Sequence, residues 1–174
     1  MASTAQNVAI TERTSFFPAF APTSVGQYKS IYEQNRHRVY ALSFWMTDSE
    51  MQAEQLLEAT FVRAFERNSA PTEQQIDNAL IAELRENYVI GEFTLDCALA
   101  TEVHNIRTNT KRVHLELAVV QLPATEKLIF LMHDVEGYSH ARIAQTLSIS
   151  VTNSKHGLHQ ARLRIRELVA NMAW

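Results

Sequence analysis

The chain is 174 residues long and 46% hydrophobic, with four Gly, four Pro and a formal net charge of −3. This composition supports real cores in one domain or two small ones, excludes wholesale disorder, and favours long helices over many-stranded sheets. The single Cys97 excludes an internal disulfide framework and a cysteine-based zinc site. No apolar run is long enough to span a bilayer, and the start "MASTAQNVAITERTSFF" lacks the basic-then-apolar order of a secretory signal, so a soluble cytoplasmic protein is expected.

Residues 1–22 have no clear periodicity. Pro18 and Pro22 interrupt any helix there, and Phe16, Phe17 and Phe20 are candidates to dock on the body. Ser24 is a candidate cap for a first helix carrying Tyr28, Ile31, Tyr32, Val39, Leu42 and Trp45 at helical spacing. "TDSE" breaks it, with Asp48 or Ser49 capping the next. From about Glu50 to Arg67, Ala53, Leu56, Leu57, Thr60, Phe61, Ala64 and Phe65 make one apolar stripe opposite charges. Thr72 and Gln75 fit a capping box for a third helix, which Ile76, Leu80, Leu84 and Tyr88 carry towards Gly91. A fourth helix is expected after Thr94, with Leu95, Ala98, Leu99, Val103 and Ile106 on one side.

The polar "RTNTKR" marks a boundary. Beyond it "VHLELAVVQLP" reads as helical up to Pro123, which suits the first turn of a helix carrying Leu128, Ile129, Leu131 and Met132 to near Gly137. Ser139 then caps residues 140–147, and Ser150 caps a last helix to about Ala170. The fold class expected is all-α in two small helical domains, the second a helix-turn-helix. The divisions are an extension over 1–22, a first domain over 23–108, a linker over 109–117 and a second domain over 118–174. Charge divides likewise. Residues 73–102 hold one Arg against seven acids, net −6, whereas residues 137–174 carry +4, which suggests units with different partners.

The last two helices have what a helix-turn-helix needs. Ile143, Ala144 and Leu147 form an inner face on the first, Ile149 plugs the turn, and Leu158, Ala161, Ile165 and Leu168 give the second a matching stripe. Thr152, Asn153, Lys155, His156, His159 and Arg162 are left facing outward, side chains suited to phosphates and base edges. An apolar stripe with basic residues opposite it also suits plain packing or a protein partner, and the pattern alone leaves those readings open. Ser148 stands where such turns favour Gly, and Gly157 lies inside the reading helix at a cost of about 1 kcal/mol relative to Ala. His156 and His159 share a face but have no thiolate or evident carboxylate companion, so no metal and no cofactor is expected.

The order of residues resembles the extracytoplasmic-function sigma factors of bacterial RNA polymerase. In the second half the matches are Leu122–Pro123, Glu136–Gly137 with Ser139, Ile143–Ala144 with Leu147, Lys155, Leu158–His159 and Ala161–Arg162. In the first half they are Tyr32, Arg36, Val39, Tyr40, Asp48, Ala53, Glu54, Leu56, Thr60, Phe61, Arg63 and Ala64. The resemblance implies a first domain that docks on the polymerase clamp and recognises the minus-ten element. The second domain would read the minus-thirty-five element. RNA polymerase core and promoter DNA are the implied partners, together with an anti-sigma factor, and no catalytic residue is expected.

Glu54, Gln55, Glu58 and Arg63 are the implied polymerase contacts. Here the family's Asp-Leu-x-Gln-Glu cluster reads Gln55, Leu56, Leu57, Glu58 and Ala59. The acidic segment 73–102 stands where the family carries a basic, aromatic surface for single-stranded DNA, and there it would repel a polyanion. The usual reading-helix Arg positions are Gly157 and Gln160, and the Gly-Thr entry is Thr152–Asn153. These departures leave a second function open: a sigma-like regulator that binds an anti-sigma or other protein without opening promoters.

Overall fold

The computed structural model describes residues 22–95 and 111–172, and every regular element in them is helical. The elements are α1 (Pro22–Thr47), α2 (Glu50–Arg67), α3 (Glu73–Leu84), α4 (Arg112–Val120), α5 (Ala124–Phe130), α6 (His140–Leu147) and α7 (Val151–Asn171). A π-helical turn over Leu131–Val135 extends α5. No helix of the described residues is long and apolar enough to cross a membrane.

Local chemistry sets the boundaries. α1 starts at Pro22, ahead of the expected cap at Ser24, because proline has no N–H to lose in a first turn and its φ already suits a helix. Of the two candidate caps before α2, Ser49 serves, its hydroxyl accepting from Gln52 N, while Asp48 takes the left-handed backbone (φ 52°) that turns the chain. The capping box at α3 forms as the sequence predicts, with Thr72 Oγ1 accepting from Gln75 N and Gln75 Oε1 accepting from Thr72 N.

α3 is shorter than its periodicity suggests. It stops at Leu84, and residues 91–95 run without regular structure after Gly91 (φ 110°). Tyr88, Ile90, Phe93 and Leu95 thus continue the apolar pattern but leave α3 to pack on the shared core. The helix expected after Thr94 is not helical at Thr94 and Leu95, and the rest of it lies outside the described residues, as do Phe16, Phe17 and Phe20. α4 begins at Arg112, so residues 112–117 of the segment read as linker are helical.

α1, α2 and α3 pack side by side. Tyr28 tilts onto Phe65 and Tyr32 onto Phe61, with ring centroids 4.4 and 4.8 Å apart, which staples α1 to α2. α7 gathers α4, α5 and α6 around itself. The two groups share one apolar core, in which Val39, Leu42, Ile76 and Leu80 of the first adjoin Leu128, Met132, Ile143 and Leu158 of the second. α3 lies against α6 and α1 against α5, so the halves are packed together.

Candidate nucleic-acid interface

The helix-turn-helix is built by two serine caps and one strained serine. Ser139 Oγ accepts from Arg142 N to start α6, and Ser150 Oγ accepts from Asn153 N to start α7. Between them Ser148 ends α6 in left-handed backbone (φ 58°, ψ 43°), the conformation for which glycine is favoured. Ile143, Ala144 and Leu147 are buried against α7, whose Leu158, Ala161 and Ile165 are buried in turn, while Ile149 and Leu168 are half-buried.

Of the six outward residues expected from the sequence, Thr152, Asn153, Lys155, His156 and His159 stand exposed together on the first turns of α7. Arg162 is exposed but committed. Its guanidinium donates to both oxygens of Asp134, Nε at 2.9 Å and Nη2 at 2.7 Å. Burial pushes the Asp134 carboxyl up, but hydrogen bonds from Arg162 and His133 outweigh it and hold the group below the usual aspartate value.

Gly157 and Gln160, where the resemblance expects arginines, are both buried. A Cβ at Gly157 would stand 2.7 Å from Ile129 Cδ1 and 2.7 Å from Phe93 Cε1, so glycine is what lets α5 and the Phe93 ring close on α7.

Of the expected polymerase contacts, Glu54, Gln55 and Glu58 are exposed on α2, and Gln55 borders a groove of about 470 Å³ with Leu56, Glu83 and Tyr88. Arg63 is set apart from them. It is half-buried and ion-paired to Glu83 and, at 3.0 Å, to Glu86. The Glu83 hydrogen bond is the main reason its guanidinium pKa is raised.

Most of the described acids in the acidic segment have cations beside them. Asp77, 1% exposed, accepts from Arg38, from Tyr138 Oη at 3.0 Å, and from Arg142 Nη2 at 2.6 Å. Arg142 also pairs with Glu73 at 3.0 Å and lies over the Tyr138 ring, 3.9 Å from its centroid. Burial raises the Tyr138 hydroxyl pKa, and the two arginines only partly offset that. Further along, Gln74 Nε2 donates to Thr146 Oγ1 at 2.7 Å, and Arg85 Nη2 donates to the Leu147 carbonyl at the end of α6, 2.9 Å away. The buried Glu126 accepts from the Thr94 and Leu95 amides, both at 3.0 Å, and Thr125 accepts from Gly91 N.

Glu83 and Glu86 are held within the first half by Arg63, and Glu73 and Asp77 receive Arg142 of the basic half, so the segment is not a bare negative surface. Sequence reasoning missed Asp77, although a signal existed: it shares the apolar face of Leu80, Ile81 and Leu84 on α3, where an acid needs a buried partner.

Residues 112–165 match the family described as Sigma-70, region 4. No curated protein matches the chain. Among solved structures, the chain is similar to the sigma factor RpoE of Bartonella quintana, determined in complex with the anti-sigma factor NepR, at 13% identity and a TM-score of 0.61. The similarity covers 84% of this chain and 98% of that one. Residues 112–165 are thus similar to sigma-70 region 4, and the chain as a whole has an all-helical fold like that of this solved sigma factor.

Proposed function

We propose that this chain is a sigma factor: it binds core RNA polymerase through α2 and reads promoter DNA through α7. The observation that carries this is the exposed cluster of Thr152, Asn153, Lys155, His156 and His159 at the start of α7, on a helix-turn-helix within the region 4 match. A capped helix N-terminus bearing hydroxyl, amide, imidazole and ammonium groups suits a major groove flanked by phosphates. Glu54, Gln55 and Glu58 are the polymerase-facing residues, and Arg63 supports them by holding α2 to α3. The chain supplies binding surfaces and the polymerase supplies the chemistry.

Closed packing adds a requirement. A compact chain of this length is about 40 Å across, whereas elements near positions minus ten and minus thirty-five lie roughly 85 Å apart at about 3.4 Å per base pair. Reading both elements needs the halves to separate at the contact made by Asp77, Arg142 and Tyr138. An anti-sigma factor is a fitting partner, as a protein that would hold the closed form.

Run-off transcription with core polymerase over a library of random promoter sequences tests this. Transcripts starting downstream of a shared two-part motif are the expected result. A blank library, with an anti-sigma protein recovered in a pull-down, would establish the regulator that does not open promoters.

A further inference from the structure

Two histidines beside the reading face are not used by the duplex-reading set. His133 lies in the π-helical turn and His140 opens α6, and their rings stack with centroids 4.5 Å apart and planes 27° from parallel. Each ring is oriented through one nitrogen. His133 Nδ1 lies 2.8 Å from Asp134 Oδ1, and His140 Nδ1 lies 3.0 Å from Ser154 Oγ on α7. Both residues are partly open to solvent, and among the described residues neither Nε2 has a hydrogen-bond partner.

The surroundings are cationic. From α7, Lys155 and Arg162 act on His140; from the π-helical turn, Asp134 acts with the opposite sign but already takes both donors of Arg162. Across α6, Arg142 is committed to Glu73 and Asp77 of α3. Burial first, then the His133 ring, Lys155 and Arg162, hold the His140 imidazole below its ordinary value. The one carboxylate beside the two stacked imidazoles, Asp134, is shared with Arg162, and neither Nε2 faces an anion; the rings stand along the Lys155–Arg162 flank of α7, where a duplex backbone would pass.

We propose that His133 and His140 form a contact to the DNA backbone phosphate beside the reading helix, and that the pair takes up protons as the duplex binds. This rests on the duplex-reading role given to α7 above. A phosphate oxygen accepts a hydrogen bond from each Nε2–H, and its charge offsets the repulsion that disfavours a charged pair. Anion binding therefore raises the imidazole pKa, so affinity climbs as pH falls through the histidine range, by at most about tenfold per pH unit for each proton taken up.

The test is fluorescence anisotropy of the full chain on a short mixed-sequence duplex at constant ionic strength, from about pH 8 to about pH 5.5. Wild-type affinity is expected to rise roughly three- to tenfold per unit below about pH 7. That slope should fall sharply in H133Q/H140Q and much less in H156Q/H159Q, while K155A weakens binding at every pH and keeps it. Histidine ring signals in NMR should show the His133 and His140 titrations moving to higher pH when duplex is added. A wild-type slope in H133Q/H140Q, or ring titrations indifferent to duplex, overturns the proposal while leaving the reading helix intact. Loss of the slope in H156Q/H159Q alone does the same. Unchanged binding in K155A instead removes the duplex-reading role itself.

Discussion

Ser148 and Gly157 are both unfavourable choices by local propensity, yet they have opposite tertiary meanings. Ser148 occupies left-handed backbone that glycine adopts without strain, and its side chain is exposed. Ser148→Gly should therefore stabilise the fold, by about 0.5–1 kcal/mol once the freer unfolded chain is counted, measurable as a higher urea midpoint at unchanged slope. Gly157 is the reverse case. Alanine gains about 1 kcal/mol of helix propensity there, but its methyl would stand 2.7 Å from both Ile129 and Phe93, and overpacking of that kind costs about 1–3 kcal/mol. Gly157→Ala should lower the melting temperature, and Phe93→Ala in the same chain should remove only the ring's share of that penalty, because Ile129 still stands 2.7 Å away.

The helix α7 illustrates how an element is shaped by what stands behind it. Lys155 faces outward from α7 and is free to meet a phosphate, whereas Arg162 spends its donors on Asp134 of the π-helical turn. Lys155→Ala should reduce the salt dependence of duplex binding by about 0.9 in log–log slope for one phosphate contact. Arg162→Ala leaves the Asp134 charge unpaired beside the duplex, so it should weaken binding more than its own lost contact accounts for. Asp134→Asn should strengthen binding; a loss there equal to that of Arg162→Ala would show instead that Asp134 holds Arg162 in place for the DNA. The π-helical turn places Asp134 here, and no periodicity signals such a turn, because it arises where the backbone bond from Glu136 N to Leu131 O replaces the α-helical ladder, and the bond from Tyr138 N to Met132 O then closes the end past Gly137.

In the whole molecule, Asp77 joins the halves. A buried carboxylate with Arg38, Arg142 and Tyr138 around it gains little over a well-packed apolar contact, but removing one partner leaves charges stranded, at about 3–5 kcal/mol. Asp77→Ala should lower stability by that order and enlarge the radius of gyration in small-angle scattering as α3 and α6 part. Tyr138 gives the same contact a pH dependence. Its hydroxyl pKa is raised in the folded chain, so the unfolded chain ionises first. The stability this provides is complete below the ordinary tyrosine value, about 10, and is lost as pH rises through the folded value. Tyr138→Phe should remove that part of the alkaline destabilisation in urea titrations above about pH 10.

Where α2, α3, α6 and α7 begin was legible in the residues alone, because capping groups and apolar spacing act over a few residues and need no distant partner. The sequence also determined the outward set on α7, since the inner stripe of a helix fixes its opposite face. Tertiary structure alone decided where α3 stops, because the apolar pattern continues through Tyr88, Ile90, Phe93 and Leu95 although the helix does not, and those side chains find their partners across the shared core. It decided the meaning of Gly157, which depends on Phe93 arriving from sixty-four positions earlier in the chain. It likewise decided the fate of the acidic segment. A net charge is a sum over sequence, whereas the field a DNA strand would meet depends on which carboxylates are already neutralised, and Asp77, Glu73, Glu83 and Glu86 have their cations on other helices.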